Sequence, residues 1–171
     1  MKTLPNRTLL AAVLGLALAY GGAAAAQKAS SPDAAFVAKA SAAGLTEVAA
    51  GKAGAEKGQS DAVKTFGQQM VDDHTKANDE LTSIAQPKGI TLSTAPMAAD
   101  TKALAMMDKQ SGAAFDASFK KKMVADHEKV IALFKKESMS GSDADLKAFA
   151  TKTLPTLQHH LEMAKALPAG K

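Results

Sequence analysis

The sequence predicts an all-helical domain, and three observations predict it. Strong helix formers such as alanine, lysine and leucine dominate, while aromatic residues make up only 4% of the chain. Apolar residues recur at three- and four-residue spacing over long stretches, the period of one helix face. Between those stretches lie clusters of Gly, Pro and Ser where caps and turns belong, with few hairpin signals among them.

The first 26 residues stand apart from this pattern. Lys2 and Arg7 bring positive charge with no acid beside it, residues 9–20 (LLAAVLGLALAY) form an apolar run, and small residues follow up to Ala26. That is the three-part layout of a signal peptide, with Ala24 and Ala26 at a small-x-small cleavage site. The run falls short of the roughly 20 apolar residues that a spanning helix needs. The expectation is a cleavable signal peptide over residues 1–26 and one domain over residues 27–171, delivered to the periplasm or beyond the cell. The chain has no cysteine. A lipid-anchored start, a disulfide framework and covalently attached c-type haem are thereby excluded. Removing Lys2 and Arg7 from the net charge of +4 leaves +2, with no basic block. A nucleic-acid partner therefore has no support, and nothing after residue 26 suits a transmembrane helix.

The elements follow in order. Ser31-Pro32-Asp33 opens the first helix, with Pro in its first turn and Asp at the positive end of the dipole. It runs to about Lys57. Gly58 breaks it, and Ser60 or Asp61 caps the second helix, which runs to about Gln86, where Pro87-Lys88-Gly89 stops it. Residues 90–96 read as an extended crossover, and 97–109 as a short extra helix. After Ser111-Gly112 a third long helix covers about 113–138. Ser140-Gly141-Ser142-Asp143 is a turn plus cap, and a fourth covers about 144–167. Pro155 inside that last helix removes a backbone hydrogen bond and predicts a kink. Four long helices with short first and last connections and a long middle one predict a ferritin-like four-helix bundle whose long crossover contains a short extra helix.

The chemistry sits in a repeat. Phe66-x-x-x-Met70-Val71-x-Asp73-His74 is echoed by Phe119-x-x-x-Met123-Val124-x-Asp126-His127. At about 100° per residue, His74 and His127 border the apolar stripes of their helices. His160 falls among Leu157, Leu161 and Ala164, while His159 turns away toward solvent. Glu47 lies on the face carrying Phe36, Ala40, Ala43 and Ala50. Each long helix thus carries one inward polar residue: Glu47, His74, His127 and His160. Helical rise puts Glu47 and His74 roughly 18 and 22 Å from the first turn, but His127 and His160 roughly 21 and 28 Å from the last, about one turn apart. Buried carboxyl and imidazole groups need partners. One solution is a hydrogen-bonded polar core that only sets helix register. The other is a single transition-metal ion (zinc, copper or iron) held by Glu47, His74, His127 and His160. Asp73 and Asp126 are then outer-shell acceptors or alternative ligands. Met70 and Met123 read either as core filler or as soft donors suited to copper. Asp116 reads as a helix-start residue or a contact to the short helix.

Gly44-Leu45-Thr46-Glu47-Val48, the two Met-Val-x-Asp-His segments, Phe115-Asp116 and Leu154-Pro155-x-Leu157-x-x-His160-Leu161 together resemble the bacterial domain-of-unknown-function family 4142, described as exported or outer-membrane proteins. The resemblance spans almost the whole of residues 27–171. It implies a ferritin-like four-helix fold and no particular activity. Ferritin-like di-iron sites use Glu-x-x-His pairs. Here Val71, Val124 and Leu157 stand three residues before His74, His127 and His160, so ferroxidase chemistry is not expected. No nucleophile–base constellation or phosphate loop supports an enzyme. The expected function is metal binding, in metal handling or envelope stress. The alternative is a structural or interaction module with a polar core.

Overall fold

The computed structural model describes residues 31–168, so the expected signal segment lies outside the described residues. Within them the chain forms five α-helices and no strand. These are α1 (Ser31–Lys57), α2 (Asp61–Ala85), α3 (Ala98–Asp108), α4 (Gly112–Ser140) and α5 (Ala144–Ala166), with a single 3₁₀ turn, Gln86–Lys88, after α2.

Local chemistry sets the boundaries. The Ser60 side chain accepts the Val63 amide at the start of α2, and Asp143 accepts the amides of Asp145 and Leu146 at the start of α5. Gly89 takes the left-handed conformation (φ 65°) that ends the 3₁₀ turn without a Cβ penalty. The extended crossover is pinned to α1 by the Ser93 amide, which donates to the Ser41 hydroxyl at 2.8 Å. Helix α5 continues through Pro155, whose side chain is exposed.

The long helices pair as α1 with α2 and α4 with α5, and the two pairs join through α1–α4 and α2–α5 contacts. The short α3 packs on α1 and α4. Small residues set the α1–α2 approach. A Cβ on Gly67 would lie 2.5 Å from the Ala55 amide nitrogen and 2.7 Å from the Gly51 carbonyl oxygen. The backbones touch there because glycine leaves the space.

The core is divided. One apolar cluster holds Phe36, Leu81, Phe134, Leu146, Phe149 and Leu157; the other holds Phe66, Met70, Phe119, Met123 and Ala164. In each long helix the division falls at the inward polar residue. Glu47 separates Ala40 from Ala50, His74 separates Met70 from Leu81, His127 separates Met123 from Ile131, and His160 separates Leu157 from Ala164. All four polar residues are buried, so they form one layer across the domain. The one-turn offset expected between His127 and His160 is therefore corrected. Helix heights counted from the nearest turn ignore how far each helix slides along its partner.

Candidate metal centre

His74 on α2, His127 on α4 and His160 on α5 meet in that layer. Their ring centroids form a near-equilateral triangle, with sides of 5.7 Å (His74–His127), 5.4 Å (His74–His160) and 5.5 Å (His127–His160). One nitrogen from each ring lies within 4.8 Å of the other two. An ion about 2.0–2.1 Å from each nitrogen would hold three imidazole centroids roughly 5.2–5.5 Å apart. The observed triangle is close to that, and small ring rotations supply the remainder.

The outward contacts fix which nitrogen faces in. His127 Nδ1 is 2.8 Å from the Met123 carbonyl oxygen, which can only accept, so Nδ1 carries the proton and Nε2 presents a lone pair. His160 Nε2 donates to Asp73 Oδ2 at 3.0 Å, which turns its Nδ1 inward. His127 Nε2, His160 Nδ1 and His74 Nε2 are all buried without a protein partner. His127 and His160 thus have the arrangement of metal-binding histidines, one ring nitrogen anchored to oxygen and the other free.

Electrostatics keep the rings neutral. Burial pushes His74 well below the ordinary histidine range, and the neighbouring His127 and His160 add to this. Burial lowers His127 to about 4, against the opposing pull of the Met123 carbonyl. Burial also lowers His160, with Asp73 opposing. Neutral imidazole is the form that binds metal. Glu47 behaves oppositely. Burial raises its carboxyl well above the usual range, reinforced by the Asp126 charge and opposed by Lys122. Its Oε2 is also buried and unpartnered.

Three of the four expected ligands therefore converge, and Glu47 stands outside the set of mutually close donor atoms. It lines a cavity beside His74. The two aspartates of the repeat part ways. Asp73 supports a histidine, but the one on α5 rather than its neighbour His74. Asp126 is held by Lys122 at 2.6 Å, and the same ammonium reaches Asp100 on α3 at 3.4 Å. Sequence reasoning passed over Lys122; its i,i+4 spacing to Asp126 was the available signal. Asp116 serves a helix start, but that of α2 and not of its own helix: its carboxylate accepts the amides of Gln59 (2.8 Å) and Ser60 (2.9 Å), closing the α1–α2 turn. No spacing rule connects residues so far apart in the chain. Met70 and Met123 are fully buried in the second apolar cluster, and His159 is exposed.

A family model described as a domain of unknown function, DUF4142, matches residues 19–167. The chain belongs to this family. No curated protein and no solved structure matches it. Membership in DUF4142 carries no activity with it, so function has to be argued from the histidine layer itself. Among the described residues no helix is long and apolar enough to cross a membrane.

Proposed function

We propose that this chain is an exported, ferritin-like four-helix-bundle protein that holds a single transition-metal ion through His74, His127 and His160, in metal handling or envelope stress. The observation that carries the reading is the convergence of three buried, neutral imidazoles with partnerless nitrogens. Each buried polar atom left unpaired costs about 1–3 kcal/mol. The three ring nitrogens together then cost on the order of 3–9 kcal/mol, comparable with the whole stability of a domain, about 5–15 kcal/mol. A bound ion removes most of that cost. Three nitrogen donors and no thiolate suit zinc, copper or iron. Pairing of α1 with α2 and α4 with α5 around a long connection supports the ferritin-like part of the reading, and the charged, apolar and small-residue run over residues 1–26 supports export.

Elemental analysis of the exported protein, purified without a histidine tag, tests this directly. One equivalent of transition metal is expected, together with a lower melting temperature in chelator and a mature N-terminus near Gln27 by mass spectrometry. Protein that contains no metal and whose melting temperature ignores added zinc, copper and iron would sink the proposal.

A further inference from the structure

An ion in the plane of three imidazoles can take a further ligand only along the axis of the triangle, to one side or the other. The two sides differ. On one side the layer meets the filled second cluster: Phe66 stands edge-on to His160 at 6.2 Å, with Met70 and Met123 wholly buried beside it. On the other side lies a cavity of about 20 Å³. Its walls come from the same side of the layer on every long helix: Gly44 before Glu47, Asn78 and Leu81 after His74, Val130 after His127, and Leu157 before His160. The cavity therefore lies on the first-cluster side of the layer and reaches it at the His74 edge, with Glu47 and His74 in its wall. A water molecule needs roughly 10–15 Å³ of such space and a few polar partners. Here the partners are the unpaired Glu47 Oε2 and the Asn78 amide. Asn78 crowds Gly44 so closely that a Cβ there would fall 1.9 Å from its Oδ1.

We infer that the centre is an open three-histidine site, whose free axial position faces this cavity and takes one water-sized or diatomic ligand beside Glu47, which contacts that ligand instead of the metal. Metal sites that do chemistry keep such a position, whereas purely structural ones are closed by four protein ligands. This rests on the metal-binding reading and gives it a ligand class: small molecules of one or two heavy atoms.

Nitric oxide is the probe, because it is diatomic, uncharged and able to pass through a packed core. The full-length exported protein is loaded anaerobically with ferrous iron, its iron content is measured, and nitric oxide is added. The expected result is retained iron and the half-integer-spin paramagnetic resonance signal of an iron–nitrosyl. Ala77→Val places two methyl groups in the cavity wall; it should keep the iron and lose most of the nitrosyl signal. Glu47→Gln should keep the iron. Retained iron with no nitrosyl signal in the unaltered protein overturns the open position while leaving the metal site standing. Loss of iron on Glu47→Gln, with iron retained in Ala77→Val, shows that Glu47 is a ligand and also overturns it. Failure of the unaltered protein to hold iron, zinc or copper removes the metal site itself, and the open position with it.

Discussion

Replacing His127 by leucine separates a metal centre from a polar core. In the metal-free domain the substitution removes a buried Nε2 that has no partner, a gain of about 1–3 kcal/mol. It also removes the Nδ1 hydrogen bond to the Met123 carbonyl, a loss of about 0.5–1.5 kcal/mol. Leucine is close in volume, and the neighbours Met123 and Ile131 are apolar and buried. The net expectation in chelator is neutral to about 2 kcal/mol more stable. With metal present the sign reverses. A ligand at one hundred times its dissociation constant stabilises the native state by about 2.7 kcal/mol. For a domain of this size that is a melting-temperature rise of roughly 6–10 °C. The parent should show that rise on adding zinc, and His127→Leu should show almost none. Differential scanning calorimetry with chelator and with excess zinc reads both arms. A variant more than about 2 kcal/mol less stable than the parent in chelator, alongside a parent indifferent to zinc, would refute the reasoning and favour a self-contained hydrogen-bonded core.

Further outcomes follow from neighbouring contacts. Because His127 is lowered in the fold to about 4, its protonation favours the unfolded chain; the stability present above about pH 6.5 is lost as pH falls toward 4. His127→Leu should therefore lose less stability than the metal-free parent over that interval in urea titrations, and parallel pH profiles would count against a neutral buried ring. Glu137 has the opposite sign. Burial and the adjacent Asp33 raise its carboxyl to about 7, so its contribution is present at low pH and lost as pH rises from about 4.5 through 7. Glu137→Gln should gain relative to the parent between about pH 5 and pH 8, and an unchanged melting-temperature difference across that range would contradict it. Gly67→Ala forces a methyl group onto the Gly51 and Ala55 backbone and should cost about 2–3 kcal/mol in urea unfolding; a cost below about 0.5 kcal/mol would mean that α1 and α2 separate easily there. Asp116→Ala orphans the Gln59 and Ser60 amides and should destabilise by about 2–3 kcal/mol, detectable as faster hydrogen exchange at those two amides.

Much of the helical plan was legible in the chain. Caps and breakers are local chemistry: Ser60, Gly89 and Asp143 act on residues within a few positions of themselves, so helix ends were readable to within a few residues. Helix faces were readable for the same reason, since the 3.6-residue period decides which side chains share a stripe. Phe66, Met70, Phe119, Met123 and Phe134 are buried as their spacing predicts. Val37 and Phe149 were not foreseen among the core residues. A helix touching two neighbours buries a wider face than one stripe, and only the packing says how wide.

Sequence alone thus determined the helical class, the inward placement of Glu47, His74, His127 and His160, and the outward placement of His159, because periodicity assigns faces without reference to any partner. Tertiary structure alone decided the rest. It brought the three histidines to one height despite unequal distances along their helices, set Glu47 beside a cavity instead of among the ring nitrogens, and gave Asp73 to His160 and Asp126 to Lys122 although the repeat presents the two aspartates alike. Two helices with the same local pattern meet different neighbours, and a side chain of given direction finds its partner only once the sliding and rotation of each helix against the others are settled by packing.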